Sequence, residues 1–297
     1  MDKFNWQAIQ SPILLRGNEK CAYRDPTAWY EDGIFHLYFT YVDNCPEGPF
    51  LQIGKTSSRD LIHFEPVKLL TPRDKSRNYS SPGNIFRYEG SYYMTMQTYC
   101  RENGEKYGNG NSRIYLMRSQ DLEHWEEPVP LLVHENQPLS EQGRMIDPYI
   151  VQDRKDGKFW CFYKQNGVSY SCSQDLKNWK YGGHTESGEN VCVLPYEAGY
   201  LIFHSPQNGI GILYTEDLKT FRPFCPDFYL GQPEWEWARG RITAAFVLDL
   251  KEDPRFGKYL MFFHGSGPED ESVDFDRNAS LGVCWSDDLL HWQWPGK

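Results

Sequence analysis

The sequence predicts an all-β fold: one domain over residues 1–297, built as a five-bladed β-propeller of four-stranded antiparallel blades. Three observations predict it. A short turn pattern recurs five times, a Gly-containing turn opens an aromatic-rich run before each copy, and no convincing amphipathic helix interrupts the series.

The recurring pattern is Ser/Thr-x-Asp-Leu-x-x-aromatic. Its copies run from Ser58-Arg59-Asp60-Leu61 to Phe64, Ser119-Gln120-Asp121-Leu122 to Trp125, Ser173-Gln174-Asp175-Leu176 to Trp179, Thr215-Glu216-Asp217-Leu218 to Phe221, and Ser286-Asp287-Asp288-Leu289 to Trp292. Successive aspartates lie 61, 54, 42 and 71 residues apart, a period that suits four-stranded blades with loops of unequal length. The Ser/Thr and Asp side chains are expected to accept backbone N–H bonds in a tight connection, so these five aspartates are assigned to turns rather than chemistry.

The second signal is Asp32-Gly33, Glu89-Gly90, Asp156-Gly157, Ala198-Gly199 and Phe256-Gly257, each ahead of a run such as Phe35-His36-Leu37-Tyr38-Phe39 or Phe159-Trp160-Cys161-Phe162-Tyr163. Gly reaches positive φ without steric cost, which makes these pairs hairpin signals. Twenty Tyr, seventeen Phe and ten Trp favour the pleated, half-buried surface of a sheet.

Composition narrows the partners. With 31 Lys and Arg against 41 Asp and Glu, the formal net charge of −10 argues against nucleic acid or an anionic membrane, both of which need clustered basic residues. No stretch approaches the apolar length of a membrane span, and the start Met-Asp-Lys-Phe-Asn-Trp lacks the pattern of a secretory leader, so a cytoplasmic location is expected. The eight cysteines show no Cys-x-x-Cys pair and no zinc spacing; free thiols are expected. The oligomeric state is left open.

Removing the repeat isolates acidic residues just upstream of the Gly turns, where each blade's innermost strand begins beside the axis. Asp25 in Tyr23-Arg24-Asp25-Pro26, Asp147 in Met145-Ile146-Asp147-Pro148, and Glu189 in Ser187-Gly188-Glu189-Asn190 precede Gly33, Gly157 and Gly199 by 8, 10 and 10 residues. They are expected at nearly equivalent positions at the channel mouth, with Ser81-Pro82 and Arg239-Gly240-Arg241 standing there in blades two and five. Three converging carboxylates would raise at least one pKa while a nearby Arg keeps others ionised. Hydrolysis of a glycosidic bond needs that divergence, one carboxyl to protonate the leaving oxygen and one carboxylate to activate water or attack the sugar. Taken singly, Asp-Pro is equally a strand start.

On Arg24-Asp25-Pro26, the segment Ser81-Pro82-Gly83-Asn84-Ile85-Phe86 to Tyr92-Tyr93-Met94, Ile146-Asp147-Pro148, and Glu189 leading to Gly199-Tyr200-Leu201 and His204-Ser205, the chain resembles glycoside hydrolase family 43 and related five-bladed propeller glycosidases. The resemblance covers the whole chain. It implies Asp25 as general base, Asp147 as the residue that orients and tunes the acid, and Glu189 as general acid. Glu189 should then carry a raised pKa. Many members of the family place Gly-His-Asn in blade five to support a central metal, whereas this chain has Arg239-Gly240-Arg241-Ile242-Thr243, so neither metal nor cofactor is expected. The Trp-x-Asn-Asp-Pro-Asn motif of retaining fructosidases is absent.

The expected activity is hydrolysis, with inversion, of pentose-containing carbohydrate of the arabinofuranosidase or xylosidase kind. Alternatives are a fructosidase, anhydrogalactosidase or mannoside phosphorylase on the same fold, or a propeller that only binds carbohydrate. Further candidates for substrate contact are Arg24, which holds Asp25 ionised, meets a sugar hydroxyl or simply pairs with a neighbouring acid; Ser81; Arg239 and Arg241, which either meet a substrate carboxylate or ring oxygen or form surface pairs; Trp235-Glu236-Trp237, which reads as a stacking platform or as loop packing; and His204, which with His264 also reads as a core histidine. Glu269-Asp270-Glu271 reads as a solvated loop.

Overall fold

The computed structural model describes residues 3–135, 137–225, 230, 233, 235–268 and 276–295; the expected acidic loop at 269–271 lies outside them. Strands follow the turn signals in order: β1 (Ile13–Leu15), β2 (Cys21–Glu31), β3 (Ile34–Cys45), β4 (Gly48–Ser58), β5 (Lys68–Leu69), β6 (Tyr79–Ser80), β7 (Ile85–Tyr88), β8 (Ser91–Thr98), β9 (Ile114–Ser119), β10 (Val129–Pro130) and β11 (Ile146–Gln152). The second half adds β12 (Phe159–Lys164), β13 (Val168–Ser173), β14 (Trp179–Thr185), β15 (Glu189–Tyr196), β16 (Gly199–Ser205), β17 (Gly211–Thr215), β18 (Arg222–Pro223), β19 (Arg241–Leu250), β20 (Lys258–Ser266), β21 (Ser280–Ser286) and β22 (Trp292–Gln293).

They form five antiparallel sheets, the predicted blades. Blades one, three and four are β2–β5, β11–β14 and β15–β18, each in sequential order. In blade two the innermost strand is split into β6 and β7, both paired with β8, and the blade continues through β9 to β10. Blade five runs β19-β20-β21, and both β22 and the N-terminal β1 pair with β21. The first strand of the chain thus completes the last blade, so the ring is closed by backbone hydrogen bonds between the two ends.

The five Asp-Leu turns behave as predicted. In blade one Ser58 Oγ accepts the Leu61 N–H at 2.8 Å, and Asp60 Oδ1 accepts from Ile62 and His63 N–H at 2.9 and 2.8 Å. The leucines sit in the left-handed region, at φ 61°, 64°, 62°, 59° and 69° for Leu61, Leu122, Leu176, Leu218 and Leu289. Such a conformation is unfavourable for Leu. Burial of the side chain offsets it, since Leu61, Leu122, Leu218 and Leu289 are all buried.

Aromatic runs fill the space between blades; Phe35, Phe39, Phe162, Phe203, Phe262 and Phe263 are fully buried. Asn84 clamps blade two to blade three, its amide exchanging bonds of 2.7 and 3.0 Å with the carbonyl and N–H of Ile150. All eight cysteines are free. No helix among the described residues is long and apolar enough to cross a membrane.

Candidate active site

Each innermost strand breaks step with its neighbour once, near the axis. The register shifts after Arg24, Ile146, Glu189 and Thr243, whose partners on the second strand are Thr40, Lys164, Ser205 and His264; in blade two the break follows Ser80, opposite Gln97. The next residue of each blade has positive φ: Asp25 48°, Ser81 47°, Asp147 54°, Asn190 53° and Ala244 54°. These bulges aim one side chain per blade along the axis.

The register corrects two expectations. Asp25, Ser81 and Asp147 are equivalent, as expected, but their counterpart in blade four is Asn190, and Glu189 stands one residue earlier, equivalent to Arg24. In blade five the equivalent residue is Ala244, not Arg239-Gly240-Arg241; the miscount arises because β19 carries no polar residue or Pro at its bulge.

A second ring supports the first. The bulge N–H of four blades donates to the second-strand side chain of the preceding blade: Ser81 to Thr40 Oγ1 at 2.7 Å, Asp147 to Gln97 Oε1 at 2.6 Å, Ala244 to Ser205 Oγ at 3.1 Å, and Asp25 to His264 Nδ1 at 3.0 Å. The junction of blades three and four departs from this. There the position holds Lys164, whose ammonium has no lone pair to offer, and its Nζ donates to Glu189 Oε2 instead.

The bulges open into a cavity of about 430 Å³, the size of a small-molecule site, lined by Asp25, Asp147 and Glu189 together. Asp25 Oδ2 accepts from Thr40 Oγ1 at 2.9 Å. His264 is held neutral, its pKa driven well below the ordinary value by burial and then by Arg24 and Arg241. The 3.5 Å approach of its Nδ1 to Asp25 Oδ1 is therefore not an ion pair.

The protons are distributed differently from the expectation. Burial pushes the Asp147 carboxyl up to about 7, reinforced by the charges of Glu189 and Asp25 and opposed by Lys164 and by a 3.2 Å hydrogen bond from Ser81 Oγ. For Glu189, burial also acts upward, but Lys164 and Arg241 (Nη2 to Oε1, 3.0 Å) outweigh it and hold the group below its ordinary value. The raised carboxyl of the pair is thus Asp147, not Glu189. Two carboxyls this closely coupled share their titration.

The other candidates divide. Arg24 and Arg241 line the cavity. Arg24 is tied to the buried Asp276 at 3.2 Å, and Asp276 also holds Arg101 at 2.7 Å, so one buried carboxylate joins blades one, two and five. Ser81 lies buried beneath the cavity against Asp147. Arg239 is exposed, pairs with Glu236 at 2.6 Å and does not reach the cavity. Trp235 is 5% exposed and packs on Phe263 and Trp294, with ring centroids 5.0 and 4.6 Å away, so it belongs to the core and offers no platform. His204 is buried off the cavity and acts on position: its Nδ1 accepts the Gly188 N–H at 2.8 Å. Gly188 lies so close to the next strand that a Cβ there would meet Ser205 O at 2.3 Å. Together they fix the backbone leading into Glu189.

Lys164, Gln97, Tyr99, Tyr107 and Arg144 also line the cavity, and sequence reasoning missed them. Tyr107, 57% exposed, presents an aromatic ring at the cavity, where Trp235 presents none. No group of three His, Cys, Asp or Glu side chains among the described residues is arranged to hold a metal ion.

The family model described as glycosyl hydrolases family 43 matches residues 19–171, more than half of the chain. The chain belongs to glycosyl hydrolase family 43. Its fold is that of a thermostable family-43 glycoside hydrolase (TM-score 0.66, 15% identity, 97% of this chain and 96% of the other). Similar also are an exo-1,5-α-L-arabinanase from a bovine ruminal metagenomic library (TM-score 0.61, 15% identity, 98% and 99% covered) and a β-xylosidase (0.60, 15%, 94% and 96%). A curated 1,2-β-oligomannan phosphorylase of Thermoanaerobacter sp. (strain X514) is 26% identical over 170 residues, 54% of this chain and 52% of the relative. The chain spans about half the length of that relative.

Proposed function

We propose that this family-43 glycosidase hydrolyses pentose-containing oligo- or polysaccharides, of the arabinose or xylose kind, with inversion. The observation that carries the reading is the meeting of Asp25, Asp147 and Glu189 in one cavity at the propeller axis. Asp25, oriented by Thr40, takes the proton of the attacking water. The Asp147–Glu189 pair supplies a proton to the leaving oxygen. Arabinanase and xylosidase structures among the similar folds support the pentose assignment.

A panel of aryl glycosides followed by arabinan, xylan and galactan oligomers tests the substrate class, and NMR of the first-formed anomer tests inversion. Turnover confined to hexosides removes the pentose reading. A second reading is phosphorolysis, favoured by the relative described as an oligomannan phosphorylase. It predicts that turnover requires inorganic phosphate and yields a sugar 1-phosphate.

A further inference from the structure

The cavity's charge is opposite to that of the chain. Among the described residues, five cationic side chains, Arg24, Lys106, Arg144, Lys164 and Arg241, line it against three carboxylates, although the whole chain carries a formal charge of −10. One of those carboxylates, Asp147, is only partly ionised near neutral pH. Asp276, paired with Arg24, offsets one of these charges, and Lys106 and Arg144 have no such partner among the described residues. At the junction of blades three and four an ammonium replaces the acceptor that the other four junctions use.

Of the cations not committed to a carboxylate, Arg144 lies against Tyr99 and Lys106 against Tyr107, and both line the cavity. Arg144 donates through Nε to Gly108 O at 2.8 Å, its guanidinium carbon lies 5.8 Å from the Tyr99 ring centre, and among the described residues it has no carboxylate partner. Arg101 braces the loop that carries Lys106, through bonds to Glu105 O at 2.8 Å and Lys106 O at 2.5 Å. Gly108 packs so tightly on Tyr99 that a Cβ would meet its ring at 2.6 Å. Lys106, whose ammonium lies 5.6 Å from the Tyr107 ring centre, and Arg144 therefore both line the cavity, one on a braced loop and the other as an anchored side chain. A fixed guanidinium and an ammonium at the mouth of a low-dielectric pocket form an oxyanion receptor.

Resting on the glycosidase reading, we infer that Arg144 and Lys106 form an oxyanion subsite beside the scissile bond. Its ligand is either the carboxylate of an acidic sugar unit in the glycan or free inorganic phosphate. A neutral pentoside fills the carboxylate end of the cavity, and the oxyanion meets Lys106 and Arg144 beside it.

Calorimetric titration of the full chain decides this without turnover. The probes are glucuronate and galacturonate with the neutral sugars glucose and galactose, their short oligomers, and inorganic phosphate. Either a uronate is expected to bind about tenfold or more tighter than its neutral sugar, or phosphate about tenfold or more tighter than the neutral sugars, as a charge-assisted contact requires. The preference should shrink as salt rises and disappear in Arg144→Gln, while Arg144→Lys keeps part of it. Lys106→Gln, a change at an exposed side chain, should lower it without altering the melting temperature. A uronate preference identifies the carboxylate source, and a phosphate preference the phosphate source. Equal affinity for charged and neutral sugars in the unmodified protein, together with no phosphate binding, overturns the subsite. Failure of every glycoside to turn over would overturn the glycosidase reading instead, since these titrations need no catalysis.

Discussion

Lys164 Nζ is paired with Glu189 at the one blade junction where the second-strand side chain accepts no bulge N–H from the next blade. A structural bond repeated elsewhere around the ring is replaced here by a charge contact with a cavity carboxylate.

Removing that charge should raise the pKa of Glu189, because burial then acts against the ionised form with only Arg241 and Arg24 opposing it. Lys164→Met is expected to move the alkaline limb of the kcat/KM profile, which the proton donor sets, to higher pH and lower turnover about tenfold or more. Lys164→Arg should restore the profile. An unchanged pH profile in Lys164→Met would show that Lys164 does not tune the pair.

Asp147 makes stability depend on pH in an unusual direction. Its carboxyl is raised to about 7 in the folded chain, so its favourable contribution is complete below the unfolded value near 4 and is lost as pH rises through 7. Asp147→Asn should remove this loss and leave the variant about 1–3 kcal/mol more stable than the unmodified protein at pH 8, with little difference at pH 4. Denaturant titrations at the two pH values check it.

The turn aspartates act oppositely. The His124 side chain and the N–H groups of His124 and Glu123 hold Asp121 well below the usual carboxylate range, and the other four turns repeat the pattern. Their contribution is present above about pH 4 and is lost as pH falls through their depressed values. Asp217→Ala, which deletes acceptors for Lys219 and Thr220 N–H at 2.9 and 2.7 Å, should cost about 1 kcal/mol at pH 7. The deficit should shrink in acid.

How far each feature was legible follows from how local its cause is. The Ser/Thr-x-Asp-Leu turn closes within a few residues, so five copies announced five blades. Asp25 and Asp147 were legible because each precedes a Pro at a bulge. Counting back from Gly199 pointed to Glu189, although the bulge residue there is Asn190, and no polar side chain or Pro marked Ala244. Lys164 closes the aromatic run Phe159-Trp160-Cys161-Phe162-Tyr163, and only the pairing Ile146–Lys164 sets it beside the bulges. Arg144 and Tyr107 lie on loops without a period. The aromatic Trp235 reads equally as surface or core until Phe263 and Trp294 are placed against it.

Asp276 carries two guanidinium groups while fully buried. Asp276→Asn removes the buried charge that Arg24 and Arg101 share, and a loss of about 2–4 kcal/mol is expected. Chemical denaturation measures it. A variant as stable as the unmodified protein would remove Asp276 as the joint of blades one, two and five.

The central claim is that Asp25 serves water while the Asp147–Glu189 pair serves the leaving group, and leaving-group dependence tests it most directly. Turnover of an activated aryl glycoside and of a natural oligosaccharide is measured for Asp25→Asn and Glu189→Gln. Asp25→Asn should lose about 10²-fold or more on both substrates, since water lacks its base in each case. Glu189→Gln should lose a similar factor on the natural substrate yet keep most of its rate on the aryl glycoside, whose departure needs little protonation. Near-unaltered turnover of the natural substrate by Glu189→Gln would contradict the assignment.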